Sequence, residues 1–273
     1  MTPSAFGAPR AAWVDSPLVA FLRHATAIAQ AELAKVIRDP TELLTRAIQP
    51  ALWLIVFGQV FTRTRAIPTG SLSYLDFMAP GVLAQSVLFS AIFYGIAVIW
   101  ERDLGIVHKL LVSPASRGSL VFGKALAAGL RALSQAIIII LLTLVMGVRL
   151  RHDVVSLLGV AFVVVLGGAL FSTFSFVIAC LVKTRERFMG IGQVLTMPLF
   201  FASNAIYPLA LMPPWLRAIS EYNPLTYLVN ALRTLMIQGG TSTAGLGTDV
   251  LVLGAVFLGL VFIAARLYET IVR

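Results

Sequence analysis

Gly118 to Lys124, reading GSLVFGK, is the one run in this chain whose residue types and spacing suggest bond-breaking chemistry. Two spaced glycines followed by lysine fit a phosphate-binding loop, where backbone amides and the lysine cradle a nucleotide. Ala125 then stands where a hydroxyl would hold magnesium, no strand precedes the run, and an apolar segment follows it. The run is read as a decoy, with Lys124 snorkelling to a membrane interface. Other reactive groups are scattered. Asp76, Glu101, Asp153, Glu186 and Asp249 sit at the edges of apolar segments. None lies in a segment core, where ion-coupled transport needs an ionisable group. His24, His108 and His152 assemble neither a metal site nor a catalytic base. Cys180 is the single cysteine, so it forms no intrachain disulfide or thiolate cluster and serves packing.

Polar groups inside apolar segments admit two readings each. Arg131 either snorkels or pairs with a neighbouring helix, or it faces substrate and water. Gln85, Gln135, Gln193 and Asn204 fit hydrogen bonds between helices, with substrate contact as the alternative. The small-residue pairs Ala125–Gly129 and Ala255–Gly259 permit close helix packing.

A different kind of chemistry, recognition, is suggested by Glu101 to Pro114, ERDLGIVHKLLVSP. Leu104, Val107 and Leu111 recur at helical spacing, and Glu101, Arg102, Asp103, His108 and Lys109 form a wet, charged flank. A short surface helix between two long apolar segments is a grip for a rigid partner outside the bilayer. The plainer reading is a solvated loop on lipid headgroups.

The elements that carry these groups belong to a membrane. Of 273 residues, 59% are hydrophobic and 12% charged, with a mean hydropathy of +0.91. Soluble domains carry about 25% charged residues. The net charge of +9 crowds the ends of apolar segments, which is a pattern of orientation and headgroup contact, not of nucleic-acid binding. Residues 1–44 lack the pattern of a cleaved signal. They contain an amphipathic helix, with Leu18, Leu22, Ala25, Ala29, Leu33 and Val36 on one side, suited to the interface.

Residues 45–273 form an all-α, polytopic membrane domain with six candidate spans of roughly 20 residues. They run near Arg46–Phe61, Phe77–Trp100, Leu120–Val148, Val154–Val182, Phe188–Ile206 and Val250–Leu267. The first is weak, since it carries Gln49, Pro50 and Gln59. With both termini in the cytoplasm, fourteen basic residues fall inside and six outside, which sets the orientation. Between the fifth and sixth spans, Tyr222–Gln238 imitates a seventh, which would put Arg233 in lipid at a cost of about 2.5–3.5 kcal/mol. The region about 206–240 is therefore read as a re-entrant outer hairpin, split at Pro213-Pro214.

Six spans, the ERDLGIVHKLLVSP insert, the LDFMAPG entry at Leu75–Gly81 and the outer NPLTYLVNALR at Asn223–Arg233 together give a chain that resembles the type 2 ATP-binding cassette permeases. The resemblance covers nearly the whole chain and is strongest to drug and antibiotic exporters of the daunorubicin-resistance kind. Nodulation-factor and polysaccharide exporters share much of it.

The resemblance implies a coupling helix at about 101–116. Glu101, Arg102, Asp103, Gly105, His108, Lys109, Leu110, Ser113 and Pro114 would meet a separate ATPase, present in two copies. ATP and magnesium would be bound there, leaving this chain without cofactor or catalytic activity. The N-terminal helix would touch the same ATPase. A second permease subunit, identical or related, would complete the path for an amphiphilic drug, antibiotic, lipid or lipid-linked glycan. Gln49, Gln59, Gln85, Arg131 and Asn204 are candidates to line that path. Asn223, Pro224, Tyr227 and Arg233 would shape the outer hairpin. The implied place is a bacterial inner membrane. The alternatives are an ion-gradient-driven transporter or channel and, less supported, a membrane-embedded enzyme or scaffold.

Overall fold

A computed structural model describes residues 16–38, 48–64, 67–112, 115–182 and 184–268. Helix α1 (Pro17–Arg38) comes first, and a π-helical turn at Trp53–Phe57 continues into α2 (Gly58–Thr64). Then come α3 (Tyr74–Asp103), α4 (Ile106–Leu111), α5 (Arg117–Val145), α6 (Val154–Leu181) and α7 (Arg185–Phe201). Last are α8 (Pro214–Tyr222), α9 (Pro224–Met236) and α10 (Leu246–Leu267). Among the described residues the only strand-like pairing is one antiparallel bridge, Leu150 to Ile237.

The long helices start where the sequence supplies caps. Ser73 accepts the Asp76 amide at 3.0 Å, Ser116 the Ser119 amide at 3.2 Å, and Asp153 the Ser156 amide at 2.8 Å. Each satisfies a donor that the first helical turn leaves open. α3, α5, α6 and α10 are long and apolar enough to cross a membrane. At 1.5 Å per residue the 30 residues of α3 extend about 45 Å, beyond a hydrocarbon core of about 30 Å. The other two sequence-predicted spans are shorter. The first is one helical run over 48–64 with the π-turn inside it, and the fifth is the 17-residue α7 with Pro198 near its end.

α6 is the hub, packed by α3, α5, α9 and α10. Its seam with α5 is backbone on backbone: a Cβ on Gly129 would lie 2.4 Å from the Val165 carbonyl oxygen, and one on Gly168 2.9 Å from the Gly129 Cα. The predicted Ala125–Gly129 contact is therefore realised. At the other pair, Ala255–Gly259, nothing lies within 4 Å of a Cβ at Gly259 among the described residues.

α9 is a core helix, with Leu225, Leu228, Val229, Ala231 and Leu232 fully buried. Leu235 packs on Gly159 and Leu228 on Gly167, so α9 runs antiparallel to α6. Gly167 lies about 20 Å along α6 from its start at Val154. The 13 residues of α9 also reach about 20 Å, short of a full crossing.

The predicted apolar stripe of α1 is divided along its length. Ala25 and Ala29 are buried against α5 together with Glu32, while Leu18 and Leu22 stay 67% and 48% exposed. The small alanines allow close approach to Gly123, whose Cβ would meet the Ala25 carbonyl oxygen at 2.6 Å. The side chains of Leu33 and Val36 lie outside the described residues.

Candidate functional site

The end of the molecule that carries α4 gathers most of the predicted recognition residues. Gly105 has φ +71°, a left-handed turn that glycine adopts without a Cβ penalty. That turn interrupts the helix and resets its phase. Val107 is accordingly buried and Leu110 half-buried, but Leu104 is 68% exposed, which corrects the continuous Leu104–Val107–Leu111 stripe. Ile106 and Val112 are exposed as well. The side chains of His108, Lys109 and Leu111 lie outside the described residues, as do Ser113 and Pro114.

The charged flank is also rearranged. Glu101 faces inward, 8% exposed, and accepts a hydrogen bond from Lys124. It does not stand on the wet side. Lys124, 4% exposed, also lies 3.6 Å from Glu32 on α1. The expected snorkelling is overturned, because two carboxylates hold the ammonium inside the protein. Arg102 and Asp103 remain on the rim. The Arg102 guanidinium donates to Asp103 at 3.1 and 3.2 Å and to the Val182 carbonyl at 3.4 Å. Asp103 also accepts from Arg185 at 2.9 Å, and Arg185 lies over the Trp100 ring at 4.1 Å. The root of α4 is thereby tied to α7.

GSLVFGK occupies the first turns of α5, so its amides are committed to helix and form no cradle. Gly123 is there for α1 packing and Lys124 for the ion pairs.

At the opposite end, the Asn223–Arg233 motif fastens α9. The Asn223 side-chain oxygen caps α9 by accepting the Leu225 amide at 2.9 Å, and its side-chain amide donates to the Leu199 and Ala202 carbonyls at 2.7 and 3.1 Å. Pro224 takes the first helical position, where its missing N–H costs nothing. The Tyr227 hydroxyl donates to the Glu221 carbonyl at 2.7 Å. Arg233 is 5% exposed, donates to the Asn204 and Phe77 carbonyls at 2.9 and 3.4 Å, and stands 4.0 Å from the Phe77 ring. Asn204 donates to Asn230 at 2.6 Å, and Asn230 donates to Thr243 at 3.0 Å. Asp76 receives the Arg149 guanidinium and backbone amide at 3.0–3.2 Å.

The five candidate path residues do not share one surface. Gln49 and Gln59 are exposed beside Leu52, Ile55 and Val56, whereas Gln85 and Asn204 are buried. Arg131 is half-buried with its guanidinium 5.4 Å from the Tyr94 ring. Between α7 and α8 runs an apolar groove of about 900 Å³ lined by Leu195, Phe201, Tyr207, Trp215, Ile219 and Tyr222. Sequence reasoning missed Glu32, Asn230 and the Asp76–Arg149 pair. The one available signal for Glu32 is that it is the sole acid on α1.

Four helices long and apolar enough to cross a membrane, packed around a glycine seam, with a short turn-and-helix on a braced charged root, fit the class of membrane permeases. Comparison with known proteins places it more closely. Residues 23–237 match the family model described as ABC-2 type transporter. Transport permease ycf38 of Cyanophora paradoxa is 34% identical over 203 residues, 72% of this chain and 69% of the relative. The daunorubicin resistance ABC transporter permease protein DrrB1 of Streptomyces coeruleorubidus is 27% identical over 234 residues, 86% and 80% of the two chains. Inner membrane transport permease YadH of Escherichia coli K12 is 25% identical over 197 residues, 70% and 73%. The chain belongs to the ABC-2 type transporter family. Its members are the membrane subunits of ABC transporters, which work with an ATPase partner and are not themselves enzymes.

Proposed function

We propose that this chain is the membrane subunit of an ATP-driven exporter for an amphiphilic substrate. Leu104, Ile106, Val112 and the rim charges dock on a separate ATPase, present in two copies, which binds ATP and magnesium. α1 touches the same partner. A second copy of this chain, or a related permease, completes the path. Both termini lie in the cytoplasm of a bacterial inner membrane, and the stretch before α2 and α7 serve as the short first and fifth of six crossings. Residues 206–240 form the re-entrant hairpin, supported by the packing of Leu228 on Gly167, halfway along α6.

One observation carries this reading. The α4 end shows three apolar side chains outward from a root held by ion pairs, and exposed apolar tips on a fixed base are what a protein partner buries. The amphiphile follows from the apolar groove, from the exposed apolar surface around Gln49 and Gln59, and from the drug named for the Streptomyces relative.

The test is affinity purification of the full chain in mild detergent, with mass spectrometry of retained proteins. The expected result is a stoichiometric nucleotide-binding subunit that Leu104→Asp releases while the chain stays folded. Equal retention by Leu104→Asp and wild type would overturn the docking assignment. Retention of no ATPase by the folded wild type would overturn the function.

A further inference from the structure

Glu32, Lys124 and Glu101 come from three different helices, α1, α5 and the last turn of α3, and meet where those helices converge. All three are buried, at 7%, 4% and 8% exposure. We propose that Lys124 is a positioning residue that fastens α1 to the root of α4, so that both contacts with the ATPase move as one rigid body. This rests on the function proposed above for what α1 and α4 touch; the joint itself rests on the geometry alone.

A charge taken out of water stays there only while its partner is in place, because an unpaired buried charge carries a large desolvation penalty. One cation here serves two anions on two helices. α1 cannot lift from α5 without stranding Glu32, and the end of α3 cannot shift without stranding Glu101. The surroundings reinforce the clamp. Gly123 brings the α1 backbone against α5, and the Phe21 and Phe122 rings meet at 5.8 Å on the same seam. Tyr94, Ser172 and Thr173 close the other side of the Lys124 side chain. Glu101 is followed at once by Arg102 and Asp103, which tie the root to the Val182 carbonyl and Arg185. A push on α4 is therefore delivered to α1, α5 and α7 together, and Lys124 is the member shared by the first two. Its task is to fix where α4 sits relative to α1.

Hydrogen exchange by mass spectrometry on the full chain in lipid nanodiscs tests this. Lys124→Met keeps an apolar stem of similar length and removes only the charge. The expected result is exchange about tenfold faster in both 17–38 and 101–112, with 154–181 unchanged. The swap Lys124→Glu with Glu101→Lys restores the pair between α5 and α3 but sets a second carboxylate beside Glu32, so 101–112 is expected to return towards wild-type protection while 17–38 stays loose, which a role in packing alone would not do. Wild-type protection of both segments in Lys124→Met, loosening of only one, or failure of the swap would each overturn the joint. Should Lys124→Met not fold, Glu32→Gln is read by the same criteria, with loosening expected in 17–38 and unchanged protection there overturning the joint. An ATPase missing from the wild-type purification would sink the functional reading, while the exchange result would still decide the joint by itself.

Discussion

Arg233 shows how a residue that reads as a liability in the sequence becomes a fastener in the fold. In lipid its charge would be costly, yet it lies within protein, donating to two carbonyls and facing the Phe77 ring. Arg233→Met keeps the bulk but leaves the Asn204 and Phe77 carbonyls without that donor. A loss of about 2–4 kcal/mol is expected, read as a lower unfolding midpoint in a detergent titration. Arg233→Lys should recover only part, since an ammonium is more strongly hydrated and lacks the planar face that lies against the Phe77 ring. Asp153 makes a prediction in pH. Hydrogen bonds from the Ser156 hydroxyl and amide, with Arg151 nearby, hold its carboxyl below the ordinary carboxylate value. A depressed folded value means that the cap contributes fully above the unfolded pKa of about 3.9 and is lost as pH falls through the folded one. Exchange at the first amides of α6 should therefore stay slow from neutral pH down to the ordinary carboxylate range and quicken only below it. Asp153→Asn, still a good cap, should lack that acid step; an identical step in the variant would assign it to another group.

Elements were legible in the sequence where one physical signal dominates. Apolar length alone placed the fourth span at 154–182 against the observed Val154–Leu181, and the second at 77–100 within Tyr74–Asp103. The phase of α4 was not legible, because the left-handed turn at Gly105 rotates everything after it relative to Leu104. Nor was the Lys124 site: Glu32 and Glu101 are remote from it in sequence, and only the close approach of α1 at Gly123 brings Glu32 near. Small-residue pairs show the same limit, since spacing reveals that a helix can be approached but not whether it is. Gly129 and Gly259 stand on equivalent motifs, and only Gly129 meets another backbone. Gly129→Val should therefore part α5 from α6 and cost several kcal/mol, within the range of overpacked cores or beyond it. Gly259→Ala should be neutral or stabilise by up to about 1 kcal/mol through helix propensity. Thermal midpoints of the two variants, compared in the same nanodisc, decide it; a large loss at Gly259 would mean that this face of α10 is covered in the membrane.

For the whole molecule, the distribution of fasteners says which parts can move. At one end α1, α3, α5 and α7 are joined through buried and rim ion pairs. At the other, α9 is held by Asn223 and Arg233 and by the bridge of Ile237 to Leu150, flanked by hydrogen bonds from Arg151 to Met236 and from Gln238 to Arg149 at 2.9 and 3.0 Å. α8 lacks comparable anchorage: Ser220 is its one buried residue, while Trp215, Ile219 and Tyr222 are 66%, 52% and 89% exposed along the apolar groove. If the re-entrant hairpin proposed above acts as a gate, α8 is the moving part and α9 belongs to the frame. A disulfide between Leu150→Cys and Ile237→Cys separates these roles, because facing residues between two such hydrogen bonds place their Cα atoms about 4.5 Å apart, within bridging range. The only native thiol, Cys180, is buried and offers no competing partner. On the proposed function, export of a fluorescent amphiphile by the complex in cells should run at the same rate before and after oxidation of the pair. Arrest on oxidation, reversed by reductant, would mean that α9 slides against the α5–α6 loop during each cycle and that the bridge opens to let substrate out.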